Sequence, residues 1–196
     1  MSRSRTNESP RRSVGHLAAL ATLAGLAACS ATGRPALGLQ YVDVKRDAVA
    51  GTGLGLALYD LRTDTEEPGW FVDVHAAGAG DVDVRNRAPS GYDGSNDAVR
   101  DREVDLVTAH VGPTLRLLDW AHVYAGIGAG YQWETQERFD PTFTVSADGS
   151  YRTTANTSLQ LSGSFGLLLH PLDGMLVGAG WDTLLEGPVF TLGFTW

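Results

Sequence analysis

The chain reads as an all-β protein, an eight-stranded antiparallel up-and-down transmembrane β-barrel preceded by a signal peptide, and three observations predict it. Apolar residues alternate with small or polar ones in eight successive segments, the connections alternate between tight turns and long polar loops, and tryptophans gather at segment ends. The clearest segment is 121–134. Ala121, Val123, Ala125, Ile127, Ala129, Tyr131 and Trp133 share one parity, and His122, Tyr124, Gly126, Gly128, Gly130, Gln132 and Glu134 share the other. A period of two is a strand. Three alternating glycines on one face are the wrong filling for a soluble core, which wants bulk.

With 196 residues the chain can build one domain with an interior, and with one cysteine it cannot build a disulfide framework or a multi-cysteine zinc site. A net charge of −8 leaves no basic face to meet phosphates, so a nucleic-acid partner is not expected. Arg3, Arg5, Arg11 and Arg12 open the chain, and an apolar run at 17–28 follows; this is a secretory signal too short to span as a stable helix. Its ending, Leu26-Ala27-Ala28-Cys29, resembles the bacterial lipobox. The resemblance implies cleavage before Cys29 and acyl chains such as palmitate on it, and two or more chains anchor stably where one is marginal. Ser30 after the cysteine implies sorting to the outer membrane. Arg11-Arg12 is also similar to a twin-arginine signal, but Gly15 and His16 stand where apolar residues are usual, and a membrane barrel cannot be exported folded. The domain plan is a signal peptide at 1–28, a lipidated tether at 29–36 and a barrel at 37–196.

Taken in order, 37–45 is strand-like but of mixed parity, since Leu39 and Tyr41 oppose Val42 and Val44. Segment 51–60 sets Leu54, Leu56 and Leu58 against Gly53, Gly55 and Ala57. Segment 70–78 sets Trp70, Val72 and Val74 against Phe71, Asp73 and His75. The pattern dissolves in 81–102 into Asp, Asn, Gly, Ser and Arg, a long polar loop. It returns at 104–118, where Pro113 removes a ladder donor and predicts a bulge or a local break. Asp119-Trp120 turns into 121–134, a second polar loop covers 135–154, and 155–170 sets Leu159, Leu161, Phe165 and Leu167 against Ser158, Gln160, Ser162 and Ser164. A turn at 170–174 leads to 175–182, and a short connection leads to 188–196. Even strand number, short turns on one side and long loops on the other place both termini at the short-turn, periplasmic end.

Alternation does not say which face points outward, and the aromatic residues do. Trp70, Trp120 and Trp196 fall at one end of the strands, and Tyr131, Trp133 and Trp181 at the other, as two girdles flanking an outward apolar band. Eleven residues from Val123 to Trp133 match a tilted spanning strand of about 9–11 residues. The alternative is a lipid-tethered soluble periplasmic barrel, apolar face inward, binding a small apolar ligand.

The runs at 124–131 (YAGIGAGY), 178–182 (GAGWD) and 187–190 (GPVF), with a terminal Gly193-Phe194-Thr195-Trp196, resemble the small opacity-type outer-membrane barrels. The resemblance implies that the barrel-assembly machinery reads Phe194 and Trp196 as an insertion signal. The lipobox is a departure from that family, whose members carry ordinary signal peptides.

On the polar parity sit Asp73, His75, His110, Arg116, His122, Glu134, Gln160 and Asp182. Charges in a narrow interior must pair, since an unpaired one costs several kcal/mol, so these residues are expected to plug the lumen as ion pairs. No catalytic set is expected, because no serine and histidine sit at matching strand ends as in the outer-membrane lipid A deacylases; a lipid-modifying enzyme is the remotest reading. A zinc triad of His75, His110 and His122 is disfavoured, because only the last two lie on evident neighbours. The run 93–97 (DGSND) fails as a calcium loop at Ala98 and Val104, where Gly and Glu are needed. No metal or cofactor is expected. The expected function is structural or one of surface interaction, with outer-membrane lipid around the barrel and extracellular or envelope partners at the loops.

Overall fold

The computed structural model describes residues 33–46, 49–62, 67–92, 94–142 and 148–196. Eight strands follow in order: β1 (Gly33–Arg46), β2 (Val49–Arg62), β3 (Gly69–Gly80), β4 (Ala98–Leu118), β5 (Ala121–Phe139), β6 (Ser150–Leu169), β7 (Leu176–Asp182) and β8 (Gly187–Thr195). Each pairs antiparallel with the next, and β1 pairs with β8 to close the barrel. Closure is the reason that so small a sheet leaves no unpaired edge around its waist. The segment read as a signal peptide, and Cys29 with it, lies outside the described residues. The first strand begins at Gly33, inside the stretch read as tether.

The apolar parity faces outward. Ile127 is 78% exposed and Leu161 91%, and Leu39, Leu54, Leu159, Leu192 and Phe194 also point away from the barrel axis. This settles the mixed parity of the first strand: Leu39 and Tyr41 point out, while Val42 and Val44 are fully buried inside. A water-soluble barrel would bury these leucines, so the reading of a lipid-tethered soluble carrier is overturned by their exposure.

The sequence placed the outer loops too low on the barrel. Strand β4 already starts at Ala98, β5 continues to Phe139 and β6 starts at Ser150, so these three rise well above their neighbours as a palisade. Hydropathic alternation is lost there because the side chains the extension buries, Gln136, Ser150 and Tyr151 among them, carry polar groups that close on hydrogen bonds rather than on an apolar face, which removes the pattern but not the hydrogen-bond ladder. The preceding loop is also held: Arg152 N–H donates to the Asn86 carbonyl at 2.8 Å, and Ala88 N–H to the Arg152 carbonyl at 3.4 Å. At Pro113 the β4–β5 ladder is interrupted between Val111 and Thr114 without a change of register, a local break; the register shifts lie elsewhere, between Arg116 and Leu118 among other places.

Inside, the lumen is filled in layers. Tyr59, Phe71 and Tyr124 interlock at the lower level, with ring centroids 4.8 to 6.2 Å apart, beside Leu61, Leu168 and Leu176. At the upper level the turn between β7 and β8 folds into the mouth, seating Leu184 and Leu185 on Val42, Val44, Ala77, Val104 and Leu106. Small residues in the wall make the room. A Cβ on Gly126 would stand 2.6 Å from the Phe71 ring, and one on Gly130 would stand 2.2 Å from Leu184. Gly126→Val should therefore push Phe71 out of place and cost about 1–3 kcal/mol by overpacking, read as a lower urea midpoint for the refolded barrel.

Candidate functional site

Between the two apolar layers lies a polar ring. Asp73 and His75 come from β3, His110 from β4 and Asp182 from the end of β7, all buried. Acids and imidazoles alternate around it. His110 Nδ1 is 2.6 Å from Asp73 Oδ1, and His75 Nδ1 is 3.0 Å from Asp182 Oδ2. The cross contacts, His75 Nε2 to Asp73 and His110 Nε2 to Asp182, are 3.8 Å each. Strand pairing creates this arrangement, since Asp73 stands opposite His110 in the β3–β4 register.

The remaining polar atoms are closed off by neighbours. Ser162 donates to Asp182 Oδ1 at 3.0 Å, Ser164 donates to Asp73 Oδ2 at 3.2 Å, and Thr108 donates to Asp182 Oδ2 at 3.0 Å. His75 Nε2 meets Gln40 Oε1 at 2.9 Å, and Gln40 Nε2 donates to Tyr59 Oη at 3.1 Å. Asp182 serves twice, because its Oδ1 also accepts the backbone N–H groups of Leu184 at 2.8 Å and Leu185 at 3.1 Å and so pins the inserted turn. His75 lies between Gln40 Oε1 and Asp182 Oδ2, and His110 between Ser162 Oγ and Asp73 Oδ1, so each imidazole bridges two oxygens of the ring.

Ser162 Oγ lies 2.8 Å from His110 Nε2, which in turn reaches Asp73 through Nδ1. The order resembles a serine, histidine and acid relay, but the polarity is wrong for one. The serine proton goes to Asp182, leaving His110 as donor to Oγ rather than as its base. Asp73, His75 and His110 each bring a possible ligand atom within 4.8 Å of the others, so these three could hold a metal ion. All three are already engaged in the hydrogen bonds of the ring. His122 does not join them; its ring lies 5.0 Å from that of His170, at the end where β1 begins and β8 ends.

The other residues singled out on the polar parity sit at the two mouths. Arg116 pairs with Asp119 at the short-turn end. Glu134 stands 3.8 Å from Arg102 at the opposite end, where Gln160 donates to Gln132 at 3.1 Å. Arg46, which sequence reasoning passed over, spans this upper mouth: its Nη1 donates to the Leu184 carbonyl at 2.7 Å and its Nη2 to Gln160 Oε1 at 2.8 Å. Gln40, Thr108, Ser162 and Ser164 were also missed as ring members, although the last three share the polar parity that carries the histidines. Nothing in the sequence marks Leu184 and Leu185 as a stopper.

The aromatic residues divide between the two ends. Trp120 and Trp196 are exposed at the end with the short turns, where Phe194 lies 5.4 Å from Trp196, ring to ring. Tyr131 and Trp133 stand together at the other end, 5.7 Å apart. Above them the palisade and the β3–β4 loop enclose a polar cleft of about 480 Å³, bordered by Arg87, Arg152, Glu103, Asp105 and Trp133.

A closed ring of eight antiparallel strands with a lipophilic outside and a lumen packed with a polar ring between two apolar layers defines a small outer-membrane β-barrel. Among solved structures the chain is similar to the attachment invasion locus protein Ail of Yersinia pestis, at 17% identity and a TM-score of 0.47, covering 84% of this chain and 96% of that one. Ail in complex with the heparin analogue sucrose octasulfate gives 17% identity, the same coverage and a TM-score of 0.44. Ail in a phospholipid bilayer nanodisc gives 19% identity, 84% and 98% coverage and a TM-score of 0.41. No family model matches the chain, and no curated protein sequence matches it.

Proposed function

We propose that this protein is a plugged, non-conducting outer-membrane scaffold, anchored by lipid at Cys29, that presents its β4–β6 palisade and outer loops to partners at the cell surface. The observation that carries the reading is the three-layer filling of the lumen, with Leu184 and Leu185 above the Asp73, His75, His110 and Asp182 ring and Tyr59, Phe71 and Tyr124 below it. A pore needs a continuous water column, and side chains that satisfy one another leave none. The rigid barrel then serves to hold the cleft beside Trp133, where Arg87 and Arg152 face Glu103 and Asp105, in one shape. The exposed Trp120 and Trp196, with Trp70, make the periplasmic girdle; Tyr131, Trp133 and Trp181 make the outer one.

Planar-bilayer recording of the refolded protein tests the plug. No steady channel is expected from the wild type, and a stable open conductance would sink the reading. The anchor is tested separately: Cys29→Ala should remain in the outer membrane through an alkaline wash, held by the barrel, while losing label from radioactive palmitate. Removal of Trp196 should impair assembly into the outer membrane in cells, because Phe194 and Trp196 are the segment offered to the assembly machinery, yet leave refolding into detergent nearly intact.

A further inference from the structure

The lumen ring contains two fully buried carboxylates, Asp73 and Asp182, and among the described residues no lysine or arginine reaches either of them. Their ionic partners are the two imidazoles alone, His75 and His110. Acids taken out of water are paired with cations or coordinate a metal, so two acids and two imidazoles with no guanidinium or ammonium among them form a set suited to a divalent ion. Such an ion supplies both missing positive charges at once and takes neutral imidazole as a ligand.

The contacts of the two imidazoles divide by nitrogen. His75 Nδ1 meets Asp182 Oδ2 at 3.0 Å and Thr108 Oγ1 at 3.1 Å, and His110 Nε2 meets Ser162 Oγ at 2.8 Å. The other nitrogen of each turns to Asp73, at 3.8 Å from His75 Nε2 and 2.6 Å from His110 Nδ1, and His75 Nε2 also meets Gln40 Oε1 at 2.9 Å. Asp73, His75 and His110 each bring one ligand atom within 4.8 Å of the others. Around a four-coordinate zinc ion with bonds of about 2.0–2.2 Å, neighbouring ligand atoms stand about 3.3–3.6 Å apart, a spacing that the contacts to Asp73 and Gln40 bracket. Strand register brings Gln40 into place: it stands opposite Gly55 on β2, which stands opposite His75 on β3. A Cβ on Gly55 would lie 2.4 Å from the His75 ring and 3.1 Å from Gln40 Oε1, so a bare backbone at this position is what lets Gln40 reach past β2 to the imidazole.

We infer that the ring is a closed structural site for one divalent transition-metal ion, with zinc the best fit, bound by Asp73, His75 Nε2, His110 Nδ1 and Gln40 Oε1. Imidazole and carboxylate donors suit zinc, and four protein donors between two apolar layers leave no open position for a substrate. The ion replaces the His110–Asp73 and His75–Gln40 hydrogen bonds and keeps the rest. Asp182 and Ser162, on the far nitrogens, are positioning residues that fix the tautomer and direction of each imidazole. Because the apolar layers cover the ring, the ion enters while the barrel folds and its ligands close around it. The site stands on the ring's geometry and not on the plug: a conducting barrel would leave it in place, and a metal-free ring would leave the plug in place.

The experiment refolds the full, untagged chain from urea into maltoside micelles with zinc sulfate or cobalt chloride and removes loose ion by gel filtration. About one zinc per chain should remain by elemental analysis, and the cobalt form should show the intense visible d–d bands of a four-coordinate ion. Zinc present during refolding should also raise the urea midpoint of unfolding. His75→Gln and His110→Gln should lose the ion. Asp182→Asn, which removes a contact to His75 and none to the metal, should keep the cobalt bands while holding zinc about 10–100-fold more weakly. The double variant His122→Gln with His170→Gln, at the short-turn mouth, is the control and should retain zinc in full. Heat-dependent gel mobility confirms that each variant is folded, and where a ligand variant does not fold, the wild-type cobalt bands and Asp182→Asn decide. No ion retained by the folded wild type, the faint bands of six-coordinate cobalt, or retention that falls with the His122 and His170 variant instead of with His75 and His110 would overturn the site.

Discussion

Ile127→Arg is expected to keep the protein from inserting stably into a bilayer. Ile127 sits midway along the spanning part of β5, points away from the barrel axis and is 78% exposed, so the substituted guanidinium would lie among acyl tails. An arginine at the lipid face of a membrane barrel costs about 2–4 kcal/mol near the midplane. On the outside of a water-soluble barrel the same change would cost within about 0.5 kcal/mol. Urea unfolding of protein refolded into liposomes reads the difference, with Ile127→Leu as the control that keeps the apolar contact. An arginine variant that inserts and unfolds like the parent would mean that this face does not touch lipid.

Asp182→Ala is expected to be the most damaging single change inside the lumen. It removes the partner of His75, the acceptor of Ser162 and Thr108, and the cap of the inserted turn at Leu184 and Leu185. It also leaves two ring imidazoles opposed by the single carboxylate of Asp73. Breaking a buried pair by deleting one partner costs about 3–5 kcal/mol, most of it the burial of the charge left behind. The double variant Asp182→Asn with His75→Gln should recover part of that loss, because neutral amides refill the hydrogen bonds the pair makes. A double-mutant cycle on urea midpoints measures the coupling, and strictly additive losses would show that the ring does not act as a unit. Since Asp182 also pins the stopper, the single variant is the one in which bilayer recording should first detect transient openings.

The architecture was largely legible before any coordinates. A period of two depends only on the geometry of an extended backbone, so strand number and order follow from the sequence. Which face meets lipid follows from where large and small residues fall, because Leu54, Ile127 and Leu192 have no polar partner to seek and Gly126 and Gly130 have no bulk to offer a surface. Pro113 announced its break for the same local reason: it lacks a ladder donor wherever it is placed. The upper ends of β4, β5 and β6 are not legible in the sequence, because what they bury, such as Gln136 and Ser150, is polar, so the ladder continues where the hydropathic alternation stops.

The plug needed the fold. That the chain carries enough acids and histidines on one parity to fill a narrow lumen is written in its residues. That Asp73 meets His110, that Asp182 on β7 closes the ring from across the barrel, four strands from β3 either way round, and that Leu184 and Leu185 turn inward are decided by strand register and barrel closure. Parity assigns a side chain to the interior but not to a height along the axis, and ion pairing falls off over a few ångströms, so only tertiary structure can say that Arg116 and His122 belong to the short-turn mouth and not to the ring.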